Sequence, residues 1–199
     1  MYKFFFKRLF DIIFGLIGLP FFCIELMIFG PLIYMNDKGP VFYNATRLGK
    51  NGKAFCMYKF RSMKVHAPDI RNTDGSTFNS DNDSRVTPIG RFMRKTSLDE
   101  IPQILNVLKG DMSIIGPRPT VPNDSFSYQA LDEKQKIRYR VRPGITGYSQ
   151  AYYRNSISQD EKFLNDSYYA ENVSFLLDSK IFFRTIFSVL TRKNINNKA

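Results

Sequence analysis

The sequence is poor in the side chains that most often bind metals or form cross-links. It has one histidine, His66, two cysteines, Cys23 and Cys56, and no tryptophan among 199 residues. This supply excludes a Cys/His zinc cluster and allows at most one disulfide, which fits a reducing compartment. Acidic residues are also scarce, with 18 against 29 lysines and arginines and a formal net charge of +11. Such a balance indicates a phosphate-bearing partner: nucleic acid, an anionic membrane surface or a phosphorylated substrate.

Signatures of nucleotide binding are missing or weak. Residues 49–53 (GKNGK) lack the Walker spacing and the hydroxyl residue after lysine, so we interpret them as a turn between two strands. Asp81 and Asp83 form a DxD pattern, which in many glycosyltransferases holds a metal on a nucleotide sugar. They lie, however, in a stretch rich in Asn, Asp, Ser and Thr, where a solvated turn is the simpler interpretation.

A long hydrophobic run near the N-terminus predicts a membrane segment. Residues 9–35 contain only Asp11 and Glu25 as charges, and a helix of that length reaches about 40 Å, enough for a hydrocarbon core of about 30 Å. A secretory signal, a straight span and a buried helix are the alternatives. Pro20 lies mid-run, where it removes a helical hydrogen bond and clashes with the preceding turn. We therefore predict that residues 1–36 form a re-entrant hairpin broken at Pro20, followed by a cytosolic domain, 37–199.

Basic residues on both sides of the run predict its topology. Lys3, Lys7 and Arg8 precede it, and a second group of lysines and arginines follows between residues 38 and 64. Positive charge resists translocation, so both flanks are expected on the cytoplasmic side. Near the other end of the chain, residues 174–190 predict an amphipathic helix that either rests in the membrane interface or packs into the core.

Two alternating segments place basic residues on one face. In residues 55–63 (FCMYKFRSM), a strand would point Lys59 and Arg61 the same way, either as an anion site or as protection of a sheet edge. In residues 137–142 (IRYRVR), a strand would carry three arginines on one face, including Arg142. Such a face indicates an anion site, and nucleic acid could use it equally well.

The segment 91–119 carries the strongest chemical pattern. Because Pro102 is tolerated only in the first turn of a helix, Asp99 and Glu100 are predicted at a helix N-terminus. A capping box from Ser97 to Glu100 would explain them structurally. Basic residues nearby, Arg94 and Lys95 upstream and Arg118 between two prolines, favour phosphate binding instead, and a carboxylate pair there can supply a nucleophile and a metal ligand.

These features occur together in one known family. The shared motifs run in order along nearly the whole chain: Arg47-x-Gly49, 58–63 (YKFRSM), 90–94 (GRFMR), 97–103 (SLDEIPQ), 106–113 (NVLKGDMS), 116–119 (GPRP) and 142–147 (RPGITG). With them the chain resembles the small monotopic phosphoglycosyl transferases of the bacterial sugar transferase family. The resemblance implies an α+β protein: a re-entrant membrane helix followed by a small α/β catalytic domain with interfacial amphipathic helices.

The resemblance also implies a reaction: transfer of a phosphosugar from a UDP-sugar to polyprenol (undecaprenyl) phosphate, with release of UMP. Asp99 matches the family's nucleophile, and Glu100 matches its metal-binding carboxylate, with Mg²⁺ as the cofactor. The implied place is the cytoplasmic face of a bacterial inner membrane, at the first membrane step of glycoconjugate assembly. Further glycosyltransferases would act downstream, and nucleic acid would not be a partner.

The remaining site residues follow from the same resemblance. Arg94 and Arg118 match arginines near the phosphates, and Lys59, Arg61 and Arg142 are further members. Arg154 matches as well, although Tyr152-Tyr153 stands before it where the family often has Asn-Gly. The alternatives are a metal-dependent glycosyltransferase that uses the DxD pattern and releases UDP, and a basic membrane-anchored nucleic-acid-binding protein.

Overall fold

A computed structural model describes residues 1–70, 78, 80, 82–122, 128–153 and 156–190. Helices and two small sheets alternate along the chain, which confirms the predicted α+β class. The elements are α1 (Lys7–Asp37), β1 (Phe42–Leu48), β2 (Ala54–Phe60), α2 (Pro88–Thr96), α3 (Gln103–Lys109), β3 (Ser113–Ile115), α4 (Glu133–Lys136), β4 (Gly144–Thr146), α5 (Tyr148–Tyr152), α6 (Gln159–Glu171) and α7 (Phe175–Leu190).

The hydrophobic run folds as one continuous helix, α1. Pro20 and Pro31 both lie inside this helix, which ends only at Lys38, where the backbone turns left-handed (φ 53°). The predicted break at Pro20 is therefore not found. A proline inside a helix costs about 3 kcal/mol, and packing on both sides of Pro20 offsets that cost.

Both halves of α1 pack on the rest of the protein. In the first half, Gly15 and Gly18 lie against Leu108 and Ile104 of α3, and a Cβ on Gly15 would come within 2.6 Å of Leu108. In the second half, Ile33 is 1% exposed. The two glycines thus let α1 and α3 approach closely. The half of α1 beyond Pro20 is held by other contacts, which bury Ile33.

The outward face of α1 stays uncovered. Among the described residues, α1 is the one helix long and apolar enough to cross a membrane, and only 11% of its most apolar stretch is buried. The most exposed apolar side chains on it are those of Leu16, Ile17, Phe21, Met27 and Met35. Exposed apolar surface of this extent marks a surface that contacts lipid or another apolar partner.

β1 and β2 form an antiparallel hairpin that leads into the site. Their register pairs Phe42 with Phe60 and Leu48 with Ala54. The connection is a short 3₁₀ turn, Lys50–Gly52, which confirms the predicted turn between two strands.

The segment expected to carry an arginine face is helical, so this prediction is wrong. Asp132 caps α4 through a capping box with Gln135, and the chain continues directly into a 3₁₀ helix, Ile137–Arg140. A strong local cap therefore overrides the alternating pattern. As a result Arg138 is buried and Arg140 is exposed, so the arginines do not share one face.

β3 and β4 pair in parallel and form the second small sheet. Ser113 lies beside Gly144, and Ile115 beside Thr146. Just beyond β3, Gly116 approaches Gly144 so closely that a Cβ on either residue would overlap the other's backbone. This tight pairing fixes where the chain leaves β3, and the loop carrying Arg118 begins there.

The C-terminal helix α7 has two different faces. Its buried face contains Ile181, which is fully buried, and Asp178, which accepts hydrogen bonds from Tyr2, Lys7 and Tyr169. Its outer face exposes large apolar side chains, including Phe183 (68%) and Phe187 (61%). The predicted amphipathic helix is confirmed, and core packing accounts for one of its faces.

Candidate active site

Asp99 and Glu100 lie in a 3₁₀ turn, Leu98–Glu100, between α2 and α3. Ser97 joins this turn to α2 with a left-handed backbone (φ 60°). Pro102 occupies the N-cap position of α3, so the helix starts slightly later than predicted. The capping box is not formed, because the Ser97 side chain makes no capping hydrogen bond and the Glu100 side chain reaches other partners.

Glu100 binds two basic side chains from distant parts of the chain. Its Oε1 accepts hydrogen bonds from Lys59 Nζ at 2.6 Å and from Arg118 Nη2 at 3.3 Å. Burial opposes ionisation of Glu100, but the charges of Lys59 and Arg118 outweigh burial and lower its pKa to about 2. Glu100 is therefore a carboxylate throughout the physiological pH range.

Asp99 has the opposite electrostatic balance. It is 9% exposed, and burial raises its pKa, with the neighbouring Glu100 charge adding to that rise while Lys59 and Arg94 act against it. Two adjacent carboxyl groups thus differ in pKa because their surroundings differ. Such a difference is typical of sites where two acids have separate roles.

Arg94 reaches the site from α2. Its Nε donates to Ser62 Oγ at 2.9 Å, and burial lowers its pKa while the charge of Asp99 raises it. The approach depends on Gly90, because a Cβ there would lie 2.0 Å from the carbonyl oxygen of Ser62. Ser62 was not among the predicted site residues.

Asn106 holds the strand of Lys59 against the helix that follows Glu100. It is completely buried, its Nδ2 donates to the Cys56 carbonyl at 2.7 Å, and its Oδ1 accepts from the Tyr58 amide at 2.9 Å. The amide therefore pairs with β2 as a further strand would. Sequence reasoning missed this role, although one polar residue inside the apolar pattern of α3 was a usable signal.

Arg61 was predicted among the site residues, but its hydrogen bonds go to partners other than Asp99 and Glu100. β2 ends at Phe60, so the alternation that would have aligned Arg61 with Lys59 stops. Its guanidinium forms two hydrogen bonds to the Asp37 carboxylate, at 2.6 and 2.7 Å, and its Nε donates to Pro40. Arg61 therefore ties the end of α1 to the chain after β2.

Arg142 also lies elsewhere. Its Nε donates to the Gly110 carbonyl at 2.9 Å, at the C-terminal end of α3, whereas Asp99 and Glu100 precede the N-terminal end. It sits where a cation complements the helix dipole, and Arg8 binds the carbonyls of the same turn. Arg154 lies outside the described residues.

Asp83, the second aspartate of the DxD pattern, is already bound by another side chain. Both carboxylate oxygens of Asp83 accept hydrogen bonds from Arg85, at 2.7 to 3.2 Å, and both side chains are buried. The hydrogen bonds from Arg85 lower the pKa of Asp83. Asp81 lies outside the described residues. A buried carboxylate already paired in this way is a structural group.

The donor set of the site suits a hard cation shared with a substrate. Within the described residues no three His, Cys, Asp or Glu side chains converge, so a complete protein cage is not formed there. Mg²⁺ often binds through one or two carboxylates and completes its shell with water and substrate phosphates. The adjacent carboxyl groups of Asp99 and Glu100 fit that mode, since positively charged side chains that attract phosphate surround them.

Comparison with known proteins identifies the family. The sequence profile described as Bacterial sugar transferase matches residues 2–192. The chain therefore belongs to the bacterial sugar transferase family, whose members are transferases.

Individual relatives are similar over nearly the whole chain. EpsL, an uncharacterized sugar transferase of Bacillus subtilis (strain 168), is 40% identical over 95% of this chain and 89% of its own length. A UDP-N-acetylgalactosamine-undecaprenyl-phosphate N-acetylgalactosaminephosphotransferase of Aeromonas hydrophila is 38% identical over 94% of this chain but 44% of its own. A UDP-glucose:undecaprenyl-phosphate glucose-1-phosphate transferase of Klebsiella pneumoniae is 38% identical, over 95% and 41%. The chain thus spans less than half of these last two relatives.

Proposed function

We propose that this protein transfers a sugar phosphate from a UDP-sugar to undecaprenyl phosphate and releases UMP. The observation that carries this proposal is the convergence of Lys59, Arg94 and Arg118 on the Asp99–Glu100 pair. The names of the Aeromonas and Klebsiella relatives support the substrate classes. The product would be a polyprenyl-diphosphate sugar, which begins assembly of a polysaccharide or another glycoconjugate.

The chemistry divides into two displacements at one phosphorus atom. A carboxylate oxygen of Asp99 attacks the β-phosphorus, a new P–O bond forms, and the bond to the UMP oxygen breaks with its electron pair leaving on UMP. A phosphate oxygen of the lipid then attacks the same phosphorus and releases Asp99. The raised pKa of Asp99 makes it a stronger nucleophile than an exposed carboxylate once it is ionised.

The basic side chains would bind and orient the diphosphate. Lys59 and Arg118 already lie beside Glu100, so they can attract the donor's phosphates without moving far. Glu100 would hold Mg²⁺ together with substrate oxygens, and the ion would supply positive charge next to the transferring group. Arg94 would offset negative charge near Asp99.

The contacts of α1 support a membrane protein whose soluble part lies on one side. Asp11, near the start of the helix, binds Ser113, and Asp37, at its end, binds Arg61. Because both ends contact the same folded body, a straight crossing would carry that body into the hydrocarbon. We therefore assign a monotopic position on the cytoplasmic face of a bacterial inner membrane, where a soluble UDP-sugar and a lipid phosphate meet.

The released nucleotide tests this proposal most directly. Purified protein is incubated with Mg²⁺, undecaprenyl phosphate and a panel of UDP-sugars, and the nucleotide products are separated. We expect UMP that depends on both the lipid and one UDP-sugar. Release of UDP would instead support the metal-dependent glycosyltransferase, and no release from the whole panel would count against a UDP-sugar donor.

The nucleic-acid alternative depended on an arginine-bearing strand, and residues 137–140 are helical. Arg138, moreover, is buried in an ion pair with Asp166. Fluorescence anisotropy with random oligonucleotides checks this alternative, and we expect no tight, salt-sensitive binding.

A further inference from the structure

A buried ion pair lies beside the loop that carries Arg118. Arg138, from the 3₁₀ helix after α4, binds Asp166 of α6 through Nη2 and Oδ2 at 2.6 Å, and the two side chains are 4% and 3% exposed. Asp166 Oδ1 also accepts from Ser149 Oγ at 3.1 Å. The pair therefore joins three separate segments in the protein interior.

The same nitrogen of Arg138 holds the Arg118 backbone. Its Nη2 donates to the Arg118 carbonyl at 2.8 Å. The neighbouring carbonyls of Pro117 and Thr120 accept backbone amides, from Gly144 and Leu48. Arg138 thus supplies a side-chain anchor between two main-chain anchors, at the residue whose own side chain reaches the site.

Arg118 needs such an anchor because its side chain is poorly enclosed. The side chain is 56% exposed and meets Glu100 at 3.3 Å, compared with 14% exposed and 2.6 Å for Lys59. A long, exposed side chain has many rotamers, so its reach toward Glu100 depends on where its backbone lies. Pro117 and Pro119 restrict the backbone dihedrals of the loop, and the bond from Arg138 fixes its distance from the interior.

Stability alone does not explain the pair. Buried ion pairs are often replaceable by apolar residues without loss of stability, because desolvation offsets their attraction. Here Arg138 Nε and Nη1 are buried and lack a hydrogen-bond partner among the described residues, which adds to the cost. A costly charge next to the Arg118 carbonyl points to a role in placing that loop.

We propose that Arg138, held by Asp166, is a positioning residue that keeps Arg118 within reach of Glu100. It acts through the Arg118 carbonyl and does not touch the substrate. This inference rests on the proposed function for its kinetic consequence, whereas its structural consequence can be measured without any substrate.

The test uses a charge-balanced variant, because removing Arg138 alone would leave a buried carboxylate unpaired. In Arg138→Met/Asp166→Asn both charges are lost, and the new amide oxygen can still accept from Ser149. The matched control is Arg140→Met, which removes an exposed arginine from the same 3₁₀ helix. Both variants are prepared in full-length protein, with melting temperature measured alongside.

The first readout is hydrogen–deuterium exchange followed by mass spectrometry. The amides that report on this loop are those of Gly116, Gly144 and Leu48, because Gly116 donates to Thr146 and the other two donate to the Pro117 and Thr120 carbonyls. We expect these three amides to exchange faster in the double variant, with the melting temperature retained, and to be unchanged in Arg140→Met. Unchanged exchange at these three amides would overturn the inference. So would faster exchange spread evenly over the protein with a lower melting temperature, since that pattern describes a general stabilising role.

The second readout is a kinetic cycle with Arg118→Ala. A displacement of about 1 Å can cost about a hundredfold in rate, so we expect the double variant to lose about a hundredfold in kcat/KM. In the Arg118→Ala background the same two substitutions should cost less than about threefold, because coupled sites are not additive. Equal losses in both backgrounds would refute action through Arg118. If native protein releases no nucleotide, the proposed function fails, and the exchange result still decides the inference.

Discussion

Lys59 and Arg61 lie two residues apart at the end of β2, and each binds a carboxylate, yet their surroundings differ. Around Asp37, both carboxylate oxygens accept from Arg61, and the Gly39 and Val65 amides add two more hydrogen bonds. Around Glu100, by contrast, both basic partners bind Oε1. The first cluster is saturated by its own protein, whereas the second leaves hydrogen-bonding capacity at a carboxylate.

This difference separates a structural ion pair from a site. Arg61 also donates to the Ile33 and Pro40 carbonyls, so its donors are taken up by the end of α1. A saturated cluster can stabilise a helix end but offers nothing to a ligand. Lys59 and Arg61 are close in the sequence, but the carboxylates that they bind differ in how many protein hydrogen bonds they already accept. That number, and not the position in the sequence, distinguishes the two clusters.

The largest expected effect falls on Asp99, at the centre of the open cluster. Asp99→Asn should abolish transfer, because an amide is a poor nucleophile, while the melting temperature changes little since the shape is kept. The measurement is UMP release together with mass spectrometry for a phosphosugar bound to the protein. Substantial turnover by a clean Asp99→Asn preparation would contradict the nucleophile assignment.

The next prediction compares the two basic residues, Lys59 and Arg61, directly. Lys59→Met should lose most activity and keep its fold, because it removes the closest partner of Glu100. Arg61→Met should lose about 2 kcal/mol of unfolding free energy, as expected for lost hydrogen bonds to a charged group, and retain activity at low temperature. Melting curves and initial rates are measured for both variants, and the same pattern in each would remove the distinction between the clusters.

A change of pH should affect stability through the Asp37 cluster and activity through Asp99, with a smaller effect than the substitutions above. Hydrogen bonds from Arg61 lower the pKa of Asp37 to about 2, so the stability it contributes is present above the ordinary pKa of about 4 and is lost as pH falls toward 2. The pKa of Asp99 is raised, so the ionised form of Asp99 contributes less to folding stability than its neutral form. Protonation of Asp99 should therefore stop transfer at a higher pH than the one at which protonation of Asp37 lowers stability.

Rate and melting temperature against pH check this separation. We expect the rate to fall while the melting temperature still holds, and the melting temperature to fall only below about pH 4. In Arg61→Met the low-pH loss of stability should become shallower, whereas the acid limb of the rate should not move. A parallel decline of both properties in the native protein would show that inactivation is unfolding.

The smallest effect is expected at Ser97. A substitution there tests whether Ser97 and Glu100 also form a capping box. Ser97→Ala should change the unfolding free energy by less than about 0.5 kcal/mol, since no capping hydrogen bond is lost. A loss near 1 kcal/mol, the usual cost of removing a cap, would show that a capping box forms in solution. Thermal or denaturant unfolding of the two proteins gives the answer.

The motifs named residues that lie together in the structure, but they did not indicate how each is held. Asp99, Glu100, Lys59, Arg94 and Arg118 were all predicted from motifs, and they come together. Their supports were missed because they act across the fold. Ser62 is an unremarkable residue until Gly90 brings α2 against it, and Asn106 looks like one polar position in an apolar helix.

The wrong predictions share a physical cause, which is that a short pattern does not fix its own environment. Residues 137–142 alternate as a strand would, yet the cap at Asp132 starts a helix that continues as a 3₁₀ helix as far as Arg140. Arg61 follows Lys59 by two residues, but β2 has ended and Asp37 is within reach. Pro20 favours a break, and packing on both of its sides keeps one helix.

The sequence by itself determined the chemistry available: a carboxylate pair flanked by basic residues, an apolar N-terminal helix and an excess of positive charge. These depend on residue identity and local spacing, which a chain carries whatever its fold. Only the tertiary structure decided which arginines lie beside that carboxylate pair. Arg61, Arg138 and Arg142 are each bound by a carboxylate or carbonyl from a distant segment. Arg61 and Arg138 are buried, where a charge must find a partner, and folding decides which partner each arginine meets.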